Sequence, residues 1–258
     1  MSLLEAIILG LIQGLSEFLP VSSSGHLLVF HHIFGITAED NLTFIIILNM
    51  GSLLPLLFVF RRDILALIKK PFQKTTLLLV IATLPLVIAT LLFEDFIESM
   101  FYTIHFLPIG FAITGFALLL SDKLKKNNKT IEDTSFINAA LIGLAQSVAV
   151  FPGLSRSGST ITAALASGLN RENAAKFSFL MSVPAAIGAM TLRIVRIAAE
   201  PELIYGLNFV NLFAGFITAA VSGYLAINFM LTIVKKAKLK YFAFYYVFAL
   251  ALLIYILF

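Results

Sequence analysis

The residues best suited to chemistry lie in two short runs. Gln13 and Glu17 are four apart, so a helix through them presents both on one face. The chain then continues Phe18-Leu19-Pro20-Val21-Ser22-Ser23-Ser24-Gly25-His26, which sets three hydroxyls and an imidazole just after an acid, where a helix must break. The second run, Pro152-Gly153-Leu154-Ser155-Arg156-Ser157-Gly158-Ser159-Thr160, places a guanidinium among hydroxyls at a helix start. Arginine offers paired donors to phosphate and a helix N-terminus adds free N–H groups, so this run reads as an anion site. An acid, a histidine, hydroxyls and an arginine are the parts for phosphoryl transfer with a divalent metal. At least one of Ser22, Ser23 and Ser24 is expected only to cap a helix. His31, His32 and His105 lie near segment ends and read as interfacial.

What must position these runs is a membrane bundle. Of 258 residues, 60% are hydrophobic and 12% charged, about half the charged share of a soluble domain. Six stretches are long and apolar enough to span about 30 Å of hydrocarbon: 41–60, 75–93, 104–120, 173–192, 207–234 and 241–258. Four shorter ones, 3–19 with 23–35 and 136–151 with 159–170, flank the two runs as couples of half-length helices. The first stretch lacks a basic flank and a small-residue cleavage site, so it is expected to stay in the mature protein.

Basic loops mark the cytoplasmic side. Residues 61–74, 121–134 (with Lys125 and Lys126) and 235–240 (with Lys238) are expected inside, and the acidic 94–103 outside. Both termini then lie outside, and each broken couple becomes re-entrant. The chain also repeats: at a constant offset of 133, Gln13 meets Gln146, Ser22 meets Ser155, Ser24 meets Ser157, Gly25 meets Gly158 and Phe44 meets Phe177. Each half, about 1–125 and 126–258, is one re-entrant couple followed by three spans. Three is odd, so the second half must be inverted. The expected fold is therefore an all-α integral membrane protein of one polytopic domain, with six spans and two re-entrant broken-helix pairs in an inverted repeat, its broken helices meeting at the midplane.

No cysteine is present, which excludes disulfides, thiolate metal sites and cysteine-nucleophile phosphatase chemistry. The net charge of +4 comes from bases beside apolar segments, so nucleic acid is not expected as a partner.

The run from Gln13 to His26 and the run from Pro152 to Thr160 resemble the two signature motifs of the undecaprenyl-diphosphate phosphatases, also called bacitracin-resistance proteins. Phe177-Ser178-Phe179-Leu180-Met181-Ser182-Val183-Pro184 is similar to that family's downstream run. The likeness covers essentially the whole chain. It departs near Phe44, where members often carry a carboxylate and then a His or Gln; Ile45 and Asn49 stand there instead. The resemblance implies hydrolysis of undecaprenyl diphosphate to the monophosphate and inorganic phosphate, recycling the carrier lipid for cell-wall synthesis with Mg²⁺ or Ca²⁺. It implies the bacterial inner membrane, a site opening outward, and is compatible with a homodimer. Glu17 would bind metal or act as base, and Arg156 would hold the diphosphate. Gln13, Ser22, Ser24, Ser155, Ser157 and Thr160 would contact substrate. Ser23 is the candidate nucleophile with His26 taking its proton, or a metal-activated water attacks directly.

A carrier of lipid phosphate is the rival, since inverted repeats with broken helices are also a transporter architecture. A second lipid phosphatase class, which needs a histidine six residues after its arginine, is excluded because that position is Thr162 and no histidine follows His105.

Overall fold

The computed structural model describes residues 1–36, 38–124, 128–201, 208–236 and 239–257; Lys125, Lys126 and Lys238 of the basic loops, and the boundary drawn between the halves, lie outside them. These residues form helices α1 (Leu3–Phe18), α2 (Ser23–Phe34), α3 (Ala38–Val59), α4 (Arg61–Lys69), α5 (Lys74–Leu92), α6 (Glu94–Met100), α7 (Leu107–Ser121), α8 (Phe136–Val148), α9 (Arg156–Ala166), α10 (Arg171–Ala199), α11 (Phe209–Lys236) and α12 (Lys240–Leu257). The one β contact among them is an isolated parallel bridge between Lys129 and Leu169.

Caps in the sequence explain where the helices begin. Ser2 starts α1 with a reciprocal capping box to Glu5, Ser135 accepts from Asn138 N–H to start α8, and Asn170 accepts from Asn173 N–H to start α10. The repeat extends to the architecture. Leu3 and Phe136, Ser23 and Arg156, Ala38 and Arg171, and Leu107 and Lys240 begin their helices 133 residues apart. Packing follows the same exchange: α1 lies on α11 as α8 lies on α5, and α3 lies on α11 as α10 lies on α5. A Cβ at Gly10 of α1 would come within 2.4 Å of the Gly215 carbonyl oxygen, and one at Gly143 of α8 within 2.3 Å of that of Ala82. Both pairs are related by the offset of 133. Small residues let membrane helices approach this closely.

Helices coincide with all six apolar stretches. Lys74–Leu92, Arg171–Ala199 and Phe209–Val234 are long and apolar enough to cross a bilayer, and α3 with α4, bent by 80°, makes a fourth candidate. Helix α7 has 15 residues, about 22 Å, which is short of a full span. Val80, Leu84, Ile88 and Leu91 of α5 are exposed, as lipid-facing residues would be. Inside, Phe18 meets Phe179 edge to face at 5.8 Å, and Phe44 and Phe177 are fully buried.

Residues 61–69 and 94–100 are helical where the sequence reads as charged loops. In 61–69, an apolar run from Ile64 to Ile68 is bracketed by Arg61, Arg62 and Asp63 on one side and Lys69 on the other. Wound into a helix, Ile64, Leu67 and Ile68 share one face and Arg62, Asp63 and Lys69 lie off it, which suits an amphipathic helix lying across the end of α3. The charged loops gather at opposite ends of α10. At one end Lys176 pairs with Asp63 at 2.6 Å, Arg171 pairs with Asp122 at 2.7 Å, and Lys74 donates to the Glu132 carbonyl at 2.5 Å. Asp122 also accepts from the backbone N–H groups of Leu239 and Lys240, and Thr130 donates twice to Asp133, holding that carboxyl below its usual range. At the other end Arg196 pairs with Glu94 and Glu98. Twenty residues of helix separate Lys176 from Arg196, about 30 Å and so one hydrocarbon thickness.

Candidate active site

The two motif runs form two helix breaks that face one cavity of about 230 Å³. At the first, α1 ends at Phe18 and α2 starts at Ser23. The connecting Ser22 adopts φ 66°, ψ 93°, a left-handed conformation that costs a non-glycine residue about 1–3 kcal/mol. Its surroundings hold it there: Ser22 Oγ caps α2 by accepting from Gly25 N–H at 3.3 Å and donates to the Leu154 carbonyl at 3.2 Å. At the second break Gly153 takes φ +88°, and a Cβ on Gly110 would come within 2.7 Å of its carbonyl carbon, so two glycines let α7 meet the turn. Ser155 caps α9 by accepting from Gly158 N–H at 3.1 Å. The free N–H ends of α2 and α9 therefore lie beside Ser23, Ser24, Arg156 and Ser157 on one cavity wall.

Glu17 joins the two breaks. Its Oε1 accepts from Arg156 Nη2 in an ion pair. Its Oε2 accepts from Ser23 Oγ at 2.7 Å and from Gln13 Nε2 at 3.0 Å. Gln13 Nε2 also meets Asn49 Oδ1 at 2.6 Å and Ser52 Oγ at 3.2 Å. Asn49 and Ser52 are site residues that sequence reading did not assign. Their single polar side chains in an apolar span carry little signal, although Asn49 stands where the sequence departs from the pattern of the family it resembles.

His26 is turned elsewhere. Its ring hydrogen bonds go to the Ser22 carbonyl, at 2.7 Å from Nδ1, and to Tyr245 OH. It packs between the rings of Phe111 and Tyr245, each with its centroid 5.6 Å away, and it is not among the residues lining the cavity. The Ser23 hydroxyl therefore has its hydrogen bond to Glu17 and none to His26. Thr160 is also turned inward: its hydroxyl donates to the Arg156 carbonyl at 2.7 Å and meets Ser178 Oγ at 2.6 Å. Ser157 Oγ donates to the Leu19 carbonyl at 3.0 Å, tying the breaks together. Ser22, Ser24, Ser155 and Ser157 line the cavity. His31, read as interfacial, is buried beside Phe44.

The oxygens available to a divalent cation are those of Glu17, Ser23 and Asn49, with Gln13 Oε1 buried and without a hydrogen-bond partner. One carboxylate among neutral oxygens suits a hard cation that completes its shell with further oxygen ligands. No cluster of three acidic, histidine or cysteine side chains occurs among the described residues. A second cavity of about 300 Å³ shares Ser23, Ser24 and Asn49 with the first and runs to Glu94, Glu98, Arg193 and Arg196.

Residues 6–253 match the family model described as bacitracin resistance protein BacA. The chain belongs to this family. Among BacA relatives, the undecaprenyl-diphosphatase of Carboxydothermus hydrogenoformans is 46% identical over 245 residues, covering 95% of this chain and 94% of that protein. Undecaprenyl-diphosphatase 4 of a Bacillus cereus strain is 43% identical over 255 residues, 98% of this chain and 96% of its own. The undecaprenyl-diphosphatase of Treponema denticola is 40% identical over 260 residues, 95% and 94% of the two chains. The BacA match spans both breaks and both halves of the repeat.

Proposed function

We propose that this chain hydrolyses undecaprenyl diphosphate to undecaprenyl phosphate and inorganic phosphate, returning the carrier lipid to cell-wall synthesis. The observation that carries this reading is the meeting of Glu17, Ser23 and Arg156 in one cavity, in a chain whose relatives are undecaprenyl-diphosphatases. A volume of about 230 Å³ lies below the range of whole small-molecule pockets, roughly 300–1,000 Å³, so it suits a diphosphate headgroup whose hydrocarbon chain stays in lipid.

Arg156 and the N-termini of α2 and α9 receive the phosphate oxygens. As the diphosphate takes the guanidinium, Glu17 keeps Ser23 and Gln13 as partners. Ser23 then attacks the terminal phosphorus while Glu17 accepts its proton across the 2.7 Å contact. Undecaprenyl phosphate leaves, and water afterwards releases phosphate from the serine. His26 fixes the Ser22 carbonyl and with it the turn that aims Ser23. Mg²⁺ or Ca²⁺, held by Glu17, Gln13 Oε1 and Asn49, would neutralise charge on the transferring group.

The protein sits in the bacterial inner membrane with the basic loops inside, six spans and two re-entrant pairs in an inverted repeat. Supporting this are the shared offset of the helix starts, the exchanged packing of the halves, and the separation of basic and acidic loops along α10. The second cavity runs from Ser23 toward the acidic loop, which favours a site open to the outside.

Purified protein in detergent, where no second compartment exists, tests the function. Phosphate release from undecaprenyl diphosphate is expected; lipid movement in vesicles without any phosphate release would instead make the chain a carrier.

A further inference from the structure

Gln146 is the repeat counterpart of Gln13, and it is stranded. It is 1% exposed, it lines the cavity that holds Glu17 and Ser23, and neither its Nε2 nor its Oε1 has a hydrogen-bond partner. Gln13, by contrast, spends its Nε2 on Glu17, Asn49 and Ser52. The positions 133 residues beyond those three acceptors are Val150, Ser182 and Ala185, and all three line the same cavity. Ser182 donates its hydroxyl to the Phe179 carbonyl of its own helix. The second half has thus lost the partners and kept the amide. Arg156 repeats the pattern, with Nη2 on Glu17 and Nη1 buried without a partner.

A buried carboxamide with both ends unmet is a costly arrangement, and one that a ligand relieves. In Gln13 the amide N–H groups serve the acid of the first half. In Gln146 the equivalent N–H groups point to an acceptor that the chain itself does not supply. The cavity already carries a guanidinium and two helix N-termini, so an anion is the acceptor that its chemistry favours.

We propose that Gln146, with the free Nη1 of Arg156, forms a phosphoryl-oxygen subsite on the second-half wall, its Nε2 donating to an oxygen of the bound headgroup. The assignment of that headgroup as a diphosphate rests on the phosphatase reading; the subsite itself rests on the stranded amide.

The test is Gln146→Leu, which keeps the volume and removes the polar atoms, in purified full-length protein in detergent. Inorganic phosphate and undecaprenyl phosphate are titrated separately, with thermal stabilisation as the readout. Without ligand the variant is expected to melt at or above wild type, because it gives up no hydrogen bond and buries no amide. Its affinity for one of the two anions should fall about ten- to hundredfold, the worth of one hydrogen bond to a charged group. Loss confined to inorganic phosphate sets Gln146 on the terminal phosphate, and loss confined to the lipid sets it on the retained one. Unchanged affinity for both anions overturns the subsite, and so does a ligand-free melting temperature below wild type, which would give the amide a structural role. The two readings fail separately. Wild type that binds phosphate through Gln146 but hydrolyses nothing would sink the phosphatase reading alone, whereas active wild type with an unaffected Gln146→Leu would sink the subsite alone.

Discussion

Arg156 donates to the carboxylate of Glu17 across 139 residues of chain, and this ion pair closes the two helix breaks onto each other. The side chains are 23% and 14% exposed, so most of the pair is shielded from solvent. Breaking a buried pair by removing one partner typically costs about 3–5 kcal/mol, because the other charge is left unpaired. Arg156→Ala should therefore lose both affinity for diphosphate and thermal stability. Arg156→Lys, which retains the charge but not the forked donors, should recover stability more than affinity. Melting curves and KM in one detergent check this; equal recovery of both would show that charge alone is needed.

Ser23→Ala separates attack by serine from attack by water. With Ser23 as nucleophile, turnover should drop by well over about a hundredfold while affinity for undecaprenyl phosphate holds. A mere positioning role would cost about 1.5–3 kcal/mol, ten- to hundredfold. Single-turnover phosphate release distinguishes the two.

His26 should behave as a positioning residue. Its Nδ1 serves the Ser22 carbonyl, so His26→Asn, which keeps a donor there, should restore most of the turnover that His26→Ala loses. Equal loss in both variants would return the proton-transfer role to the imidazole.

Chelation with EDTA should abolish phosphate release, and Mg²⁺ or Ca²⁺ should restore it. Glu17 and its neutral neighbours offer too little negative charge to hold a cation firmly without substrate, so recovery should be rapid and complete. Full activity after exhaustive chelation would leave Arg156 and the helix ends as the only source of charge neutralisation.

Gly143→Ala should destabilise the protein, because its Cβ would lie 2.3 Å from the Ala82 carbonyl oxygen and force α8 off α5, at about 1–3 kcal/mol. Gly188→Ala, which meets nothing within 4 Å on α10, should be neutral or stabilising. Thermal unfolding in detergent measures both, and similar melting temperatures for the two variants would contradict the packing described.

The parts of this molecule that were legible in the sequence are those written as repetition or as punctuation. Ser22 and Ser155, 133 residues apart, announced two helix breaks, and both proved to be N-caps. The meeting of Glu17 with Arg156 followed from bringing the two breaks together. What stayed hidden depends on side-chain direction. Nothing in the order Ser23, Ser24, Gly25, His26 tells that the imidazole turns back to the Ser22 carbonyl and leaves the hydroxyl to Glu17. Thr160 likewise looks like a phosphate ligand until Ser178, on another helix, takes its hydroxyl. Asn49 and Ser52 are isolated polar groups whose role depends on Gln13 reaching across from α1. Helix α4 was hidden for a different reason: its charges read as a loop unless the short apolar run they bracket, Ile64 to Ile68, is given an interface to lie on.

In the proposed mechanism the carboxylate of Glu17 drives hydrolysis in this cavity by taking the proton of Ser23. The rate of phosphate release from undecaprenyl diphosphate by Glu17→Gln, relative to wild type at matched folded concentration, tests it most directly. The glutamine keeps the volume and a hydrogen bond to Ser23 but cannot accept the proton, so the rate should fall by about 10²–10⁴-fold, the usual contribution of a general base. A Glu17→Gln protein that releases phosphate within a few-fold of wild type would remove Glu17 as the base.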